Sequence, residues 1–181
     1  MYNRNMKYHY YIGLQLPGDV SGKIADIQRE LFDPIESVKP LEPHITLLPP
    51  PAVEHINPED FALHARAAAK SSWPLELVLK EIMTFGSQAV AIRVESDAIH
   101  ELQKQLVELL PFAAEITYYP HPTFLPHITL AQANRGHTLP SKLIDLYKER
   151  LAPLLPMSCT AGYLTLFERI GPRTYKAKPL V

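Results

Sequence analysis

Hydrophobic and polar positions along the chain follow two periodicities, one typical of strands and one typical of helices. Tyr8 to Leu16 alternate with a period of two, which predicts a strand that ends at the following Pro-Gly pair. From Val20 onward, apolar positions recur every three or four residues until about Phe32. This spacing predicts a helix with one buried face, capped by Asp19 or Ser21.

The same two patterns predict the remaining elements. Strands are expected at 43–48, 75–83, 89–95, 126–131, 157–168 and 174–179. Helices are expected at 58–70, 97–110 and 141–151. Helices interspersed among strands predict an α+β fold, with two pseudo-symmetric lobes of antiparallel sheet, helices packed outside and an active-site cleft between the lobes. At this length, we expect residues 1–181 to form a single two-lobed domain.

A five-residue repeat is the strongest internal signal. Pro-His-Ile-Thr-Leu occurs at 43–47 and again at 126–130. Because side chains i and i+2 share one face of a strand, His44 and Thr46 point the same way, and His127 and Thr129 repeat that arrangement. The proline before each histidine favours an extended entry into the strand. The repeat therefore predicts two imidazole and hydroxyl pairs, which a pseudo-twofold axis would bring to one point.

Paired imidazoles suit phosphoryl chemistry. A neutral imidazole accepts a proton from the attacking oxygen while a protonated one donates a proton to the leaving oxygen. Threonine hydroxyls can donate hydrogen bonds to the phosphate oxygens. Cys159 is the single cysteine, and the sequence contains neither His-x-His nor HExxH, so we expect no metal site and no cofactor.

The two motifs, His44-Ile45-Thr46 and His127-Ile128-Thr129, resemble those of the 2H phosphoesterase superfamily. The resemblance implies a metal-independent enzyme that acts on 2′,3′-cyclic phosphate or 2′-5′ phosphodiester bonds of RNA ends or nucleotides, related to bacterial 2′-5′ RNA ligases. It also implies His127 as the base that activates water and His44 as the acid that protonates the departing 2′-oxygen, with the roles exchanged in ligation. Many RNA-ligase-like members carry an arginine shortly after the second motif, whereas here Arg135 comes only later.

Aromatic and basic residues supply further candidates for substrate binding. Tyr10, Tyr119 and Phe124 could stack a nucleobase, although packing in the core or in a loop is an equal alternative for each. Three arginines are candidates for holding a second phosphate: Arg93, Arg135 and Arg169.

The overall charge limits the partners. A formal net charge of −1 gives no global attraction for duplex DNA, so any phosphate must be bound locally. No apolar run reaches membrane-spanning length and no secretory signal is readable, so we expect a cytoplasmic protein, a monomer, whose partners are RNA ends or a small nucleotide phosphate ester. Two alternatives stay open: a non-catalytic module that binds nucleotide or RNA phosphates, and a zinc hydrolase.

Overall fold

The computed structural model of the chain describes residues 10–49, 58–109, 124–171 and 173–180. Its strands are β1 (Tyr10–Gln15), β2 (His44–Leu48), β3 (Glu76–Phe85), β4 (Ala89–Glu95), β5 (His127–Gln132), β6 (Met157–Thr160), β7 (Tyr163–Gly171) and β8 (Thr174–Pro179). Its α-helices are α1 (Gly18–Glu30), α2 (Pro58–Ser72), α3 (Asp97–Glu108) and α4 (Ser141–Leu151). Among these helices, none is both long and apolar enough to cross a membrane.

The strands form one antiparallel sheet in the order β6-β3-β4-β5-β2-β1-β7-β8. The sheet divides into two four-stranded halves, β6-β3-β4-β5 and β2-β1-β7-β8, which meet where β5 pairs with β2. We call them the His127 half and the His44 half, after the histidine that each contributes. The predicted α+β fold is confirmed, and the twin motif strands lie next to each other at the centre.

One hydrophobic cluster joins the helices to one face of the sheet. Ile12, Ile45 and Ile128 are fully buried on the strands, and Ile24 and Ile99 bring the apolar stripes of α1 and α3 into the same cluster. Burying each such aliphatic side chain contributes about 1.5–3 kcal/mol. The alternation of the strands then leaves His44, Thr46, His127 and Thr129 on the opposite face.

Two helices contact strands of the opposite half of the sheet. Helix α1 belongs by sequence to the His44 half but contacts β5 of the other half, and α3 contacts β2. The buried Gln28 of α1 lies at this crossing, with its side-chain amide against the backbone of β5. The core therefore extends across the junction between the halves.

One predicted strand is in fact two. The sequence pattern predicts a single strand over 157–168, but the structure breaks it at Ala161-Gly162 and sends β6 and β7 to different halves. The amide of Ala161 donates to Leu75 O at 2.8 Å in one half, and the amide of Gly162 donates to Gln15 O at 2.8 Å in the other. Because the break is stabilised by these distant partners, local alternation could not reveal it.

The predicted start of α1 is also wrong. The N-cap residue is Pro17, which makes no side-chain cap bond, and the helix begins at Gly18 rather than after Asp19 or Ser21. The amide of Ser21 instead donates to Pro17 O at 2.8 Å, which closes the first turn through the backbone.

Candidate active site

The two repeated motifs meet at a single backbone register. Ile45 lies directly opposite Ile128 in the antiparallel pairing of β2 and β5. One residue to either side, this register places His44 opposite Thr129 and Thr46 opposite His127. Opposite residues in an antiparallel pair share a face, so both histidines and both threonines face the same side. The structure therefore brings all four motif residues together.

The two histidines are diagonal neighbours across the strand pair. Such positions are about 7–8 Å apart between Cα atoms, close enough for long side chains to converge. The charge of His127 contributes to lowering the pKa of His44, which reflects this proximity. Neither Thr46 nor Thr129 has a hydrogen bond from its hydroxyl to another residue that the structure describes, so both hydroxyls can donate to a ligand.

Both imidazoles are held by the same backbone contact. His44 Nδ1 donates to Glu42 O at 2.7 Å, and His127 Nδ1 donates to Leu125 O at 2.8 Å. Because a carbonyl oxygen can only accept, the proton lies on Nδ1, and in the neutral ring Nε2 is left as the acceptor. The same tautomer is thus fixed twice, with Nε2 as the reactive nitrogen of each ring.

Each imidazole also packs against aromatic rings. The ring centroid of His44 lies 5.2 Å from that of Tyr11 and 5.3 Å from that of Phe167. The ring of His127 lies 4.8 Å from Phe85. Phe85 on β3 and Phe167 on β7 each lie on the third strand from the junction between the halves. They also have the same register relative to the motif of their own half, so their positions are equivalent. The pseudo-symmetry therefore includes one phenylalanine beside each histidine.

A β-bulge follows the threonine in both motifs. Thr46 pairs with Gly13 and Leu48 with Ile12, so Leu47 is the extra residue of β2. In the other half, the pairing passes from Thr129 to Ala131 on β5, so Leu130 is the extra residue there. Bulges redirect side chains and occur often beside active sites. The repeated leucine of the motif is therefore the bulge residue, and Leu47 and Leu130 are both fully buried.

Because Gly13 has no side chain, the backbone of the first motif and the ring of His44 can pack closely against β1. A Cβ at this position would be 2.7 Å from Ile45 O, 3.3 Å from Phe167 Cε2 and 3.5 Å from His44 Cδ2. A side chain there would thus collide with the backbone of the first motif. The sequence gives no sign of this requirement, because it depends on the register between β1 and β2.

Gln28 supports the second motif from behind the sheet. Its Nε2 donates to Thr129 O at 3.1 Å and to Leu130 O at 3.1 Å. Consecutive carbonyls of a regular strand point to opposite sides, so one amide reaches both only because the bulge turns them together. Gln28 is 2% exposed, and its amide supplies a donor to both carbonyls, of which Leu130 O also accepts from the Tyr147 hydroxyl at 3.5 Å.

The environment of His44 favours its neutral form. Burial lowers the pKa of His44, the hydrogen bond to the Glu42 carbonyl raises it, and the charge of His127 lowers it further. Burial is the largest of these effects, because an imidazolium loses hydration among the aromatic rings. His44 is therefore a stronger acid, once protonated, than an imidazole in water.

Of the predicted base-stacking residues, the structure describes Tyr10 and Phe124, and neither ring stacks on His44 or His127. Tyr10 lies on the other face of β1 from Tyr11 and packs against the core. Phe124 also packs against the core, with its ring 5.4 Å from that of His100. Tyr119 lies outside the described residues. Tyr11 is the tyrosine beside His44, and choosing it over Tyr10 requires knowing which strands lie beside β1.

Two of the arginines predicted to hold a second phosphate bond other groups of the protein instead. Arg93 lies opposite His127 on β4, but its guanidinium bonds Glu81 at 2.7 Å and Glu95 at 2.8 Å. Arg169 Nε donates to Gly171 O at 3.2 Å. Arg173, which the sequence analysis did not single out, lines a cavity together with aromatic rings that pack on His44. Among the residues described, no group of three His, Cys, Asp or Glu side chains is arranged to hold a metal ion.

The paired His-x-Thr strands at the centre of one antiparallel sheet are the arrangement of the 2H phosphoesterases. The family model described as the 2′-5′ RNA ligase superfamily matches residues 16–173, and the chain belongs to this superfamily. The predicted resemblance is thus confirmed over nearly the whole chain.

Solved structures share the fold at low sequence identity. The crystal structure of TT0787 from Thermus thermophilus has a TM-score of 0.66 at 17% identity, covering 96% of this chain and 95% of that one. E. coli LigT complexed with 3′-AMP has a TM-score of 0.58 at 18% identity, covering 96% and 95%. E. coli LigT complexed with NADP+ has a TM-score of 0.59 at 18% identity, covering 95% and 94%. No curated protein sequence matches the chain.

Proposed function

We propose that the protein is a metal-independent phosphodiesterase that hydrolyses 2′,3′-cyclic phosphate or 2′-5′ phosphodiester bonds of RNA ends or nucleotides. The observation that carries the proposal is the duplicated anchoring of His44 and His127 through Nδ1, which leaves two Nε2 atoms on one face of the sheet. E. coli LigT, which shares the fold, has been crystallised with 3′-AMP and with phosphate, and this supports a nucleotide phosphate as the ligand.

The proposed reaction uses both Nε2 atoms in turn. His127 Nε2 accepts a proton from water as the water oxygen forms a bond to phosphorus. The bond between phosphorus and the 2′-oxygen breaks, and protonated His44 donates its Nε2 proton to that oxygen. The product is a 3′-phosphate, and proton exchange with solvent restores both histidines. Ligation would start from the cyclic phosphate with a 5′-hydroxyl in place of water. The 5′-oxygen bonds to phosphorus and gives its proton to one histidine, the bond between phosphorus and the 3′-oxygen breaks, and the other histidine protonates that oxygen, which leaves a 2′-5′ bond.

The two threonines and the bound anion complete the proposal. Thr46 and Thr129 flank the diagonal between the histidines, so their hydroxyls can donate to the non-bridging oxygens of a phosphate held there. A bound phosphate anion also raises the pKa of His44, which offsets the effect of burial and favours the protonated acid.

The test is turnover of a panel of 2′,3′-cyclic nucleotides and 2′-5′ dinucleotides in excess chelator. We expect His44→Gln and His127→Gln each to lower kcat by about 10²–10⁴-fold, the usual contribution of a general acid or base. His137→Gln is the matched control, because His137 is exposed and bonds the described residues Asn134 and Gln88 through its backbone alone. Full activity of both active-site variants would rule out the proposed catalysis.

The same experiment separates the alternatives. Binding of 3′-AMP without turnover of any ester would favour a non-catalytic phosphate-binding module. Turnover that is lost in chelator and restored by zinc would favour a metal hydrolase. Either result would overturn the proposed metal-independent reaction.

A further inference from the structure

A cavity of about 220 Å³ opens beside the first histidine. Two of its walls, Tyr11 and Phe167, are the rings that pack against His44. Its polar lining includes Lys39, Glu42, Tyr175 and Arg173, and we call it the Arg173 cavity. The cavity therefore shares two aromatic walls with the imidazole of His44.

The size of the Arg173 cavity limits what it can hold. Sites for drug-sized ligands usually measure about 300–1,000 Å³. A cavity of about 220 Å³ suits one chemical group of a larger substrate rather than a whole nucleotide. Its occupant would remain connected to the part of the substrate that His44 contacts.

Arg173 is held in an uncommon backbone conformation. Its φ is +48°, in the left-handed region that residues other than glycine rarely adopt. Its Nε donates to Lys39 O at 2.9 Å, which ties the β7–β8 turn to the segment before β2. This bond uses only one of the five donors of the guanidinium and leaves the terminal nitrogens as donors. Arg173 thus lines the cavity with its Nε bonded to Lys39 and its terminal nitrogens left as donors.

The cavity is richer in donors than in acceptors. Arg173 and Lys39 supply two positive charges against one carboxylate, that of Glu42. The hydroxyls of Tyr11 and Tyr175 add two donors, and burial raises the pKa of Tyr11, which keeps its hydroxyl protonated. Burial also lowers the pKa of Arg173, a desolvation effect that a bound anion would offset. This combination favours an anion with several acceptor oxygens.

The cavity breaks the pseudo-symmetry of the site. β8 forms it at the edge of the His44 half, whereas the corresponding edge strand β6 is four residues long and has the sequence MSCT, without arginine or tyrosine. An asymmetric site distinguishes the two sides of the phosphate that lies between the histidines. In the proposed reaction the nucleoside lies on the side of the acid, His44, which is the side of the cavity.

We propose that the Arg173 cavity binds a second phosphate of the substrate, so that the preferred substrates are cyclic phosphates of nucleotides that also carry a 5′-phosphate or 5′-phosphodiester. The inference rests on the proposed function, because it assigns the nucleoside to the side of His44. It also assigns substrate selectivity to Arg173, with Tyr175 as a second donor.

The activity test compares adenosine 2′,3′-cyclic phosphate with and without a 5′-phosphate. We expect kcat/KM to be higher for the 5′-phosphorylated substrate, and Arg173→Asn to reduce that preference by about tenfold to a hundredfold, the usual effect of losing a hydrogen bond to a charged group. Asparagine tolerates a positive φ, so the turn can keep its shape. Tyr175→Phe, which removes only a hydroxyl, should reduce the preference less.

The matched control is Lys176→Gln on β8, the strand that follows Arg173 and carries Tyr175. Lys176 is exposed and next to Tyr175, so its side chain points to the other face of β8, while the change in net charge is the same. The inference predicts that this variant keeps the preference of the wild type. Equal losses in Arg173→Asn and Lys176→Gln, or no preference in the wild type, would overturn it.

A binding measurement separates this inference from the proposed function. Calorimetry of adenosine 3′,5′-bisphosphate against adenosine 3′-monophosphate needs no turnover. Tighter binding of the bisphosphate that depends on Arg173 supports the second phosphate site even if no ester is hydrolysed, and in that case only the proposed catalysis fails. Equal affinity for the two ligands would overturn the site even if cyclic phosphates are hydrolysed.

Discussion

Ile45 and Ile128 lie opposite each other at the centre of the sheet, and the pseudo-twofold relationship of the two halves passes between them. Both side chains are fully buried, so each also fixes its strand against the helices. The residues on either side of the two isoleucines are the motif histidines and threonines. The spacing between the two imidazoles is thus set by the pairing of two buried residues rather than by a loop.

The threonine hydroxyls should contribute to turnover. Thr46→Val and Thr129→Val keep the side-chain shape but remove the donors that face the phosphate. We expect each to lower kcat by about 10²–10³-fold, as when one donor to a developing charge is removed. Because both residues are at least partly exposed, thermal stability should change little. Steady-state kinetics with unfolding curves checks this, and unchanged kcat in both variants would contradict the role.

The pKa of His44 should be measurably below that of a free histidine. NMR titration of the imidazole resonances should give a value under the ordinary 6.5 or so. Because the charge of His127 contributes to the shift, His127→Gln should raise the pKa of His44. An unchanged pKa in that variant would show that the two rings do not interact.

The same shift predicts how stability depends on pH. The folded-state pKa of His44 lies below its unfolded value, so at acidic pH the His44 imidazole binds a proton more readily in the unfolded chain than in the native protein. The difference in proton binding at His44 therefore lowers the free energy of unfolding below the folded-state pKa, and this effect vanishes as pH rises above about 6.5. Denaturant unfolding at pH 5 and pH 8 should show His44→Gln gaining stability relative to wild type at the lower pH. The same difference at both pH values would contradict the assignment.

Gly13→Ala should disturb the first histidine. The added methyl would lie 2.7 Å from Ile45 O, so the strands must move apart. Overpacking of this kind costs about 1–3 kcal/mol, and turnover should fall with it because the displaced strand carries His44. Gly22→Ala is the matched control, since nothing lies within 4 Å of a Cβ there and alanine favours a helix by about 0.5–1 kcal/mol. Wild-type stability in Gly13→Ala would refute the steric argument.

Gln28→Leu should loosen the second motif. It removes the shared donor to Thr129 O and Leu130 O, of which Leu130 O keeps a long bond from the Tyr147 hydroxyl at 3.5 Å, and we expect a cost of about 1–3 kcal/mol for the lost bonds. Because these carbonyls belong to the bulge after Thr129, we expect kcat to fall more than KM changes. Gln105→Leu is the control, because the Gln105 amide bonds the neighbouring Glu101 on the same helix. Equal effects of the two substitutions would mean that Gln28 does not position the motif.

We propose that the chain folds as one domain, because α1 and α3 each pack on the opposite half. Denaturant unfolding followed by far-UV circular dichroism and by Trp73 fluorescence should give coincident single transitions. Two separated transitions would show that the halves unfold independently.

The sequence predicted those parts of the fold that depend on neighbours along the chain. Alternation in residues 44–47 and 127–130 placed the histidines and threonines on one face. The apolar stripe of α1 was also correct, with Val20 and Ile24 buried and Ile27 and Leu31 partly buried against the core. It could not predict features that arise between distant segments. The pairing of distant strands decides three such features: the break at Gly162, the lack of space for a side chain at Gly13 and the hydrogen bond from Gln28 to Thr129 O.

Chain order also decides how the molecule would bear a mechanical load. The elements from α2 to β6 run without interruption from residue 58 to residue 160, while β1, β2, β7 and β8 come from either side of them. One half is thus nested within the other along the polypeptide. Tension applied between Tyr10 and Leu180 would act first on the strands around His44, and the strands around His127 would be loaded only after those had been peeled away.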